Sequence, residues 1–393
     1  MRILWVNPSF LDYRIAVFKE LDLACQRQLS VVYSRRRIPD RVQARVAELL
    51  GERAYGLVGE KTFSLGQPTD GTYANRGLCV PYQKGLWRTV RSIDADVVIG
   101  EGFFQWTPVA LAKSLLQNRP LIISYERTRH TERNCPRWRT LYRQVVLKRA
   151  SAVICNGSLS RDYLVSLGYP STRIVMGGMA ADSSLLSIEA RNVDCQKRFD
   201  LMQRFALQHP VFMSVGQLIE RKGMIQLLAG WRQYIQKPDA SGSLLLVGDG
   251  ELRNRLEEEV KTSGIKNVAF AGNVPYEQIA AYYATADVFI NASLEDNWSL
   301  VVPEAMACGL PAGCSVFNGC WPELIRKDIN GITFNPLESA SVEGCFRYFL
   351  QRSGELLSMG KESQRIETSY GPPRAAQAIL SACQLAKRPQ LRG

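Results

Sequence analysis

Short runs of apolar residues alternate along this chain with stretches whose apolar positions recur every three or four residues. The first kind is the form of a strand buried on both faces, the second that of a helix with one apolar stripe. In the first half, residues 3–6, 29–33, 97–99, 121–124, 152–155 and 174–175 read as strands. Between them, residues 12–24 put Ile15, Phe18, Leu21 and Leu23 largely on one helical face, and residues 137–149 carry Leu141, Val145 and Val146 among arginines. A stretch from Gly178 to Gln208 lacks a clear strand and is rich in small and polar residues. The alternation restarts at 210–215, continues with a helix over 224–235 (Met224, Leu227, Leu228, Trp231 and Ile235 at helical spacing), and adds strands at 244–247, 268–271 and 288–291. A breaker, Tyr370-Gly371-Pro372-Pro373, precedes a last helix over 374–386. The pattern predicts an α/β protein of βαβ units on mostly parallel sheets. Expected boundaries are a first domain over 1–180, a linker over 181–208, a second domain over 209–371 and a closing segment over 372–393.

At 393 residues the chain exceeds the size at which one core keeps growing, which supports two domains. No window has the long apolar run of a membrane span, and the N-terminal apolar run is too short for a signal peptide, so a cytoplasmic protein is expected, with peripheral attachment to the inner membrane face as an option. The ten cysteines show neither Cys-x-x-Cys spacing nor Cys/His clusters; free thiols are expected, with no metal site and no cofactor. Charge is uneven. Residues 1–180 hold 27 Lys and Arg against 14 Asp and Glu, a balance of +13, while residues 181–393 hold 22 against 23, a balance of −1. The first half therefore calls for a polyanionic partner: an anionic membrane surface or a phosphorylated lipid acceptor. Nucleic acid is the weakest choice, because no nucleic-acid motif accompanies the charge.

The richest stretch is 294–311, an acidic loop running into an apolar helix. Asp296 and Glu304 stand eight positions apart, so one can sit on the loop while the other projects from the first turns of the helix. The backbone N–H groups of Ser299, Leu300 and Val301 lack helical acceptors there, and such donors at a positive helix end suit phosphate. Hydroxyl-gripping carboxylates beside a phosphate site suggest a nucleotide sugar. A second stretch, Ser214-Val215-Gly216-Gln217-Leu218-Ile219-Glu220-Arg221-Lys222-Gly223, ends a strand in a glycine turn and brings Lys222, a point charge suited to a diphosphate, to the next helix. A third comprises Val247-Gly248-Asp249-Gly250 and Phe270-Ala271-Gly272-Asn273-Val274-Pro275, at the carboxyl ends of two successive strands, where open α/β sheets bind ligands.

These motifs, in this order over roughly residues 210–340, resemble those of retaining glycosyltransferases of family 4, whose GT-B fold has two facing Rossmann-like domains and a C-terminal helix that crosses back to the first. Departures are specific: Asp296 stands for the first Glu of the family's paired glutamates, Asn297 and Ser299 replace glycines, and Gln217 replaces an Arg. The resemblance implies that Lys222 clamps a donor pyrophosphate, with Arg221 or an arginine of the first domain compensating for Gln217. It also implies that Gly216, Gly248, Gly272 and Asn273 shape the nucleotide slot, that Glu304 holds ribose hydroxyls, and that Asp296, Asn297, Ser299, Leu300 and Val301 surround the sugar and phosphates. In the first domain, Tyr13-Arg14 resembles an acceptor-side loop, and His130 resembles by location the histidine placed near the donor sugar. Its neighbours Arg127, Arg129 and Arg133 would form an anion-binding wall. The implied reaction moves a sugar from a nucleoside-diphosphate donor, UDP favoured, to a saccharide or lipid-linked acceptor without a metal, with Lys222, Asp296 and His130 as the catalytic side chains. Two other readings stay open: a nucleotide-sugar binding protein without transfer activity, and a GT-B epimerase. A glycoside hydrolase fits less well, because it has no diphosphate for Lys222 to neutralise.

Overall fold

A computed structural model describes residues 1–65 and 78–388; residues 66–77 and 389–393, the end of the closing segment, lie outside the described residues, as does the side chain of Cys79. The chain forms two compact units, Met1–Ala180 joined by the chain from Tyr370 onward, and Ala181–Ser369.

The first unit contains β1 (Ile3–Val6), β2 (Leu29–Ser34), β3 (Ala54–Leu57), the antiparallel hairpin β4 (Lys61–Leu65) and β5 (Leu78–Tyr82), then β6 (Val97–Glu101), β7 (Leu121–Tyr125), β8 (Ala152–Cys155) and β9 (Ile174–Met176). All but the hairpin form one parallel sheet in the order β3-β2-β1-β6-β7-β8-β9. Alternation along β1 explains why its run is continuously apolar. Ile3 and Trp5 enter the core on one face of the sheet with Phe10, Phe18 and Tyr33, and Leu4 and Val6 enter the core on the other with Val98, Trp106 and Ile123. The helix Pro372–Lys387 lies on the first of these faces. Ala375, Ala378, Ile379, Ala382 and Cys383 are its buried stripe, and their small size lets its backbone approach helix Tyr13–Ala24 closely.

The second unit holds β10 (Val211–Val215), β11 (Ser243–Val247), β12 (Val268–Gly272), β13 (Val288–Asn291), β14 (Ala312–Ser315) and β15 (Gly331–Phe334), all parallel, in the order β12-β11-β10-β13-β14-β15. This is the dinucleotide-fold order, in which the chain reverses direction of winding beside its first strand and leaves a crevice at the carboxyl ends. In the first unit that switch falls between β1 and β6, in the second between β10 and β13. Phe212, Trp231, Tyr234 and Phe346 anchor the second core, largely edge to face, with ring centroids 5.0–6.1 Å apart.

Residues 181–208, expected as a linker, fold instead as helices Ser184–Arg191 and Cys195–Arg204 packed on helix Ile279–Thr285 of the second unit. Leu186 and Ala190, one helical turn apart, supply the buried contacts, and Asp194 caps the second helix by accepting from Lys197 N–H at 2.6 Å. Polar composition concealed this short stripe. Among the described residues no helix is long and apolar enough to cross a membrane, and the described cysteines are free thiols.

Candidate functional site

In the second unit three adjacent strands end in glycine. Gly216 N–H donates to Val247 O at 2.9 Å, and Gly248 N–H donates to Gly272 O at 2.8 Å, so the three strand ends abut through backbone. A Cβ on Gly248, where φ is 138°, would lie 2.0 Å from Gly216 O. The result is a shelf without side chains, flanked by the exposed Gln217 and by Asn273.

Beyond Gly216 the chain turns through Glu220–Lys222 and presses against the segment leaving β13. Gly223 has φ 69°, and a Cβ there would lie 2.0 Å from Ala292 O. Leu294 and Glu295 N–H both donate to Arg221 O, at 2.8 and 3.2 Å. This splice brings Lys222 Nζ within 2.6 Å of Asp296 Oδ2, the two side chains being 16% and 7% exposed. Asp296 is itself fixed: Oδ1 accepts from Trp298 N–H at 3.2 Å, and its carbonyl accepts from Gly319 N–H at 2.9 Å.

Asn318 organises the approach to the next helix. Its Oδ1 accepts from the N–H groups of Ser299 and Cys320 at 3.3 and 3.2 Å, and its Nδ2 donates to Asn291 Oδ1 at 3.0 Å. Asn291 in turn donates to Ser299 Oγ at 3.2 Å. The amide of Ser299, expected as a free phosphate donor, is thus taken by a side chain that sequence reasoning did not single out. Those of Leu300 and Val301 remain as first-turn amides of helix Val301–Ala307. Asn297 and Ser299 are buried.

Glu304 projects from that helix, and Tyr283 Oη donates to its Oε2 at 3.3 Å. Withdrawal from water pushes the Glu304 carboxyl up to about 7, the tyrosine's hydrogen bond opposing this only in part. The same desolvation, with Glu304 adding to it, pushes the Cys308 thiol up to about 12. Tyr283 lies on helix Ile279–Thr285, which precedes β13, and its role as the Glu304 partner had no signal in the sequence.

The first unit has its own cavity, of about 250 Å³, at the carboxyl ends of β1, β6 and β7. Glu101 is its hub: Oε2 accepts from Trp5 Nε1 at 3.0 Å and Asn7 Nδ2 at 3.2 Å, and Oε1 accepts from Ser124 Oγ at 3.2 Å and lies 3.6 Å from Arg14 Nη2. Arg14 is buried, donates to Gly178 O at 2.9 Å and lies over the Trp5 ring. Tyr125 Oη is buried with no hydrogen-bond partner among the described residues, and burial holds its pKa well above the ordinary value, so it stays a neutral hydroxyl. Arg127 and Arg143 both bind Glu132, at 2.8 and 2.7 Å. The cavity is lined by Arg14 and Arg127 together with Arg139 and Arg143, two residues the sequence did not mark. Arg129, His130 and Arg133 are not among its lining residues. Arg129 is exposed, and Arg133 donates to the His130 carbonyl at 2.7 Å. Among the described residues no three His, Cys, Asp or Glu side chains are grouped to hold a metal ion.

Comparison with known proteins matches residues 209–350 to the model for glycosyl transferases group 1 and residues 31–177 to the glycosyl transferase 4-like domain. A Haemophilus influenzae protein described as an uncharacterized glycosyltransferase is 33% identical over 169 residues, 42% of this chain and 46% of the relative. Alpha-monoglucosyldiacylglycerol synthase of Streptococcus pneumoniae is 25% identical over 169 residues, 42% of this chain and 37% of the relative. The chain thus spans less than half the length of these two relatives. Among solved structures, Anabaena Alr3699/HepE in complex with UDP and glucose superposes with a TM-score of 0.70 at 17% identity, covering 99% of this chain and 100% of the other. With both matched segments lying on parallel-sheet Rossmann-like units, the chain belongs to the group 1 glycosyl transferases and has the GT-B fold.

Proposed function

We propose that this chain transfers a sugar, with retention of anomeric configuration, from a nucleoside-diphosphate donor to a hydroxyl of a saccharide or lipid-linked acceptor in the cytoplasm. The observation that carries the reading is the Lys222–Asp296 pair, a cation and a hydroxyl-gripping carboxylate joined at the β10/β13 switch point beside a glycine shelf. Lys222, with Arg221, Gln217 and the amides of Leu300 and Val301, receives the diphosphate. Gly216, Gly248, Gly272 and Asn273 leave room for the nucleoside. Glu304 accepts from ribose hydroxyls, and Asp296, Asn297 and Ser299 meet the sugar.

The chemistry is electrostatic. As the anomeric bond breaks, negative charge grows on the leaving diphosphate, the acceptor hydroxyl forms the new bond on the same face, and its proton passes to the departing β-phosphate. Lys222 and fixed amides stabilise that charge without a divalent ion. UDP is the favoured nucleotide, supported by its presence in the Anabaena structure, and a lipid-linked acceptor is supported by the diacylglycerol in the streptococcal relative's name. The acceptor is assigned to the cavity bearing Arg14, Arg127 and Glu101.

Gln217, exposed and uncharged where the family pattern has a cation, favours a second reading in which nucleotide sugars bind but are not turned over. A panel of UDP-, GDP-, ADP- and dTDP-sugars separates the readings. A ligand that binds the folded state raises the melting temperature, and released nucleoside diphosphate marks transfer to water or acceptor. Binding without release supports the second reading, an altered sugar marks an epimerase, and no thermal shift with any donor removes the proposal.

A further inference from the structure

Helix Arg137–Leu147 has two faces with different work to do. Arg143, Val146 and Leu147 are buried, and Arg139 and Arg143 line the first unit's cavity, where Phe104 stacks on Tyr142 with ring centroids 5.0 Å apart. On its outer side Trp138, Leu141 and Val145 are 46%, 62% and 60% exposed. Their spacing of three and four residues sets them in one stripe. A shallow hollow of about 580 Å³ continues this apolar surface between Leu141 and Val145 and the Leu167–Pro170 turn, with Lys148 and Arg173 at its edge. Single exposed apolar side chains are ordinary, but a helical stripe beside an apolar hollow is a contact surface.

We infer that this helix docks the first unit on an anionic lipid bilayer. From Arg133 to Arg161 the chain carries seven Lys and Arg and no Asp or Glu; Arg143 is buried against Glu132 and Arg161 pairs with Asp162, while the exposed Arg137, Lys148 and Arg149 keep the surroundings of the apolar stripe positive. Apolar residues in the acyl boundary, an indole at the headgroup level and cations among lipid phosphates are the parts of an interfacial helix. A nucleic-acid backbone would use the cations but has no place for Leu141 and Val145. The docked helix would hold the cavity that Arg139 and Arg143 line close to the membrane surface, where the sugar-accepting end of a lipid-linked acceptor lies. This purpose rests on the transfer reading above, whereas the docking itself does not.

The test is co-sedimentation of the full chain, without sugar donor, with vesicles of phosphatidylcholine alone and of phosphatidylcholine mixed with phosphatidylglycerol. Binding to the mixed vesicles is expected to be at least about tenfold tighter and to weaken as salt rises. The double variant L141Q/V145Q is expected to lose about tenfold or more in vesicle affinity while keeping its melting temperature and its release of nucleoside diphosphate from donor. K148Q/R149Q is expected to lose the preference for the anionic lipid. Equal binding to both vesicle types, no binding to either, or unchanged binding by L141Q/V145Q overturns the docking. Failure of donor turnover with vesicle binding intact overturns the transfer reading alone.

Discussion

Lys222 Nζ and Asp296 Oδ2 lie 2.6 Å apart although 74 positions separate them in the chain, brought together by the turn after β10 and the loop after β13. Both side chains are largely withdrawn from water, so each keeps the other's charge compensated until an anion or a set of hydroxyls competes for it. Lys222→Met keeps the stem and removes the charge. Its transfer rate is expected to fall by about 10²–10³, the effect of deleting one preorganised electrostatic contact, with the far-ultraviolet circular dichroism unchanged. Steady-state turnover of the preferred donor checks this, and a wild-type rate removes Lys222 from the site.

Glu304 supplies a pH signature. Its pKa stands at about 7 in the folded chain against an ordinary 4.5, so the folded state binds the proton more tightly. The resulting destabilisation is absent below about pH 4.5, grows from there to about pH 7 and is complete above it, reaching at most about 3 kcal/mol. Glu304→Gln should therefore melt higher than the wild type at about pH 8 and close to it at about pH 4.5. If the carboxylate accepts from ribose, uridine diphosphate binding strengthens as pH rises through about 7 in the wild type beyond any change seen in the variant. Parallel pH curves for the two proteins would detach Glu304 from the ribose.

Asn318 ties Ser299, Cys320 and Asn291 together with three hydrogen bonds while being wholly buried. Asn318→Ala leaves those groups unsatisfied, at a cost of about 1–3 kcal/mol for a buried polar group. The loop carrying Asp296 should loosen with it, raising the donor KM more than it lowers kcat. Urea unfolding and donor saturation curves measure the two effects, and a variant with wild-type stability and KM would leave Asn318 without an organising role.

Gly248→Ala places a methyl 2.0 Å from Gly216 O in a backbone conformation at φ 138°. The strand ends must part, so stability is expected to fall by about 1–3 kcal/mol and donor affinity with it. Gly354→Ala, whose Cβ meets nothing within 4 Å, is the control. Equal melting temperatures for the two variants would show that the shelf yields.

Charge stabilisation by Lys222 and amides sets one more expectation: excess chelator leaves the transfer rate within about twofold, and added magnesium does not rescue Lys222→Met. A chelator-sensitive rate restored by one divalent ion would refute the metal-free scheme.

Continuous apolar runs made most of both sheets legible. Residues 3–6, 152–155 and 288–291 are strands with the expected bounds, because Ile, Val, Leu and Phe buried on both faces leave little else for them to be. β14 escaped notice since Ala312-Gly313-Cys314-Ser315 has no β-branched residue; Gly313 is there to clear Cys345 Sγ, which a Cβ would approach to 2.5 Å. The site was legible where it depends on order along the chain, as with Lys222, Asp296 and Glu304. It was opaque where it depends on pairing across elements. Nothing in the spacing of Asn318, Tyr283 or Glu101 announces that they hold Ser299, Glu304 and Arg14, and Arg139 and Arg143 looked like the polar side of an amphipathic helix until the cavity gave them an inside.

The helix that fills one face of the first core with Ile379 and Ala382 leaves the ribosome only after the whole second unit has been made. Residues 1–180 must therefore wait, with part of an apolar sheet surface uncovered, while the intervening residues are synthesised and collapse. Nascent chains halted before Pro372 should accordingly be chaperone clients, and the emergence of this helix is the event that closes the core of the first unit.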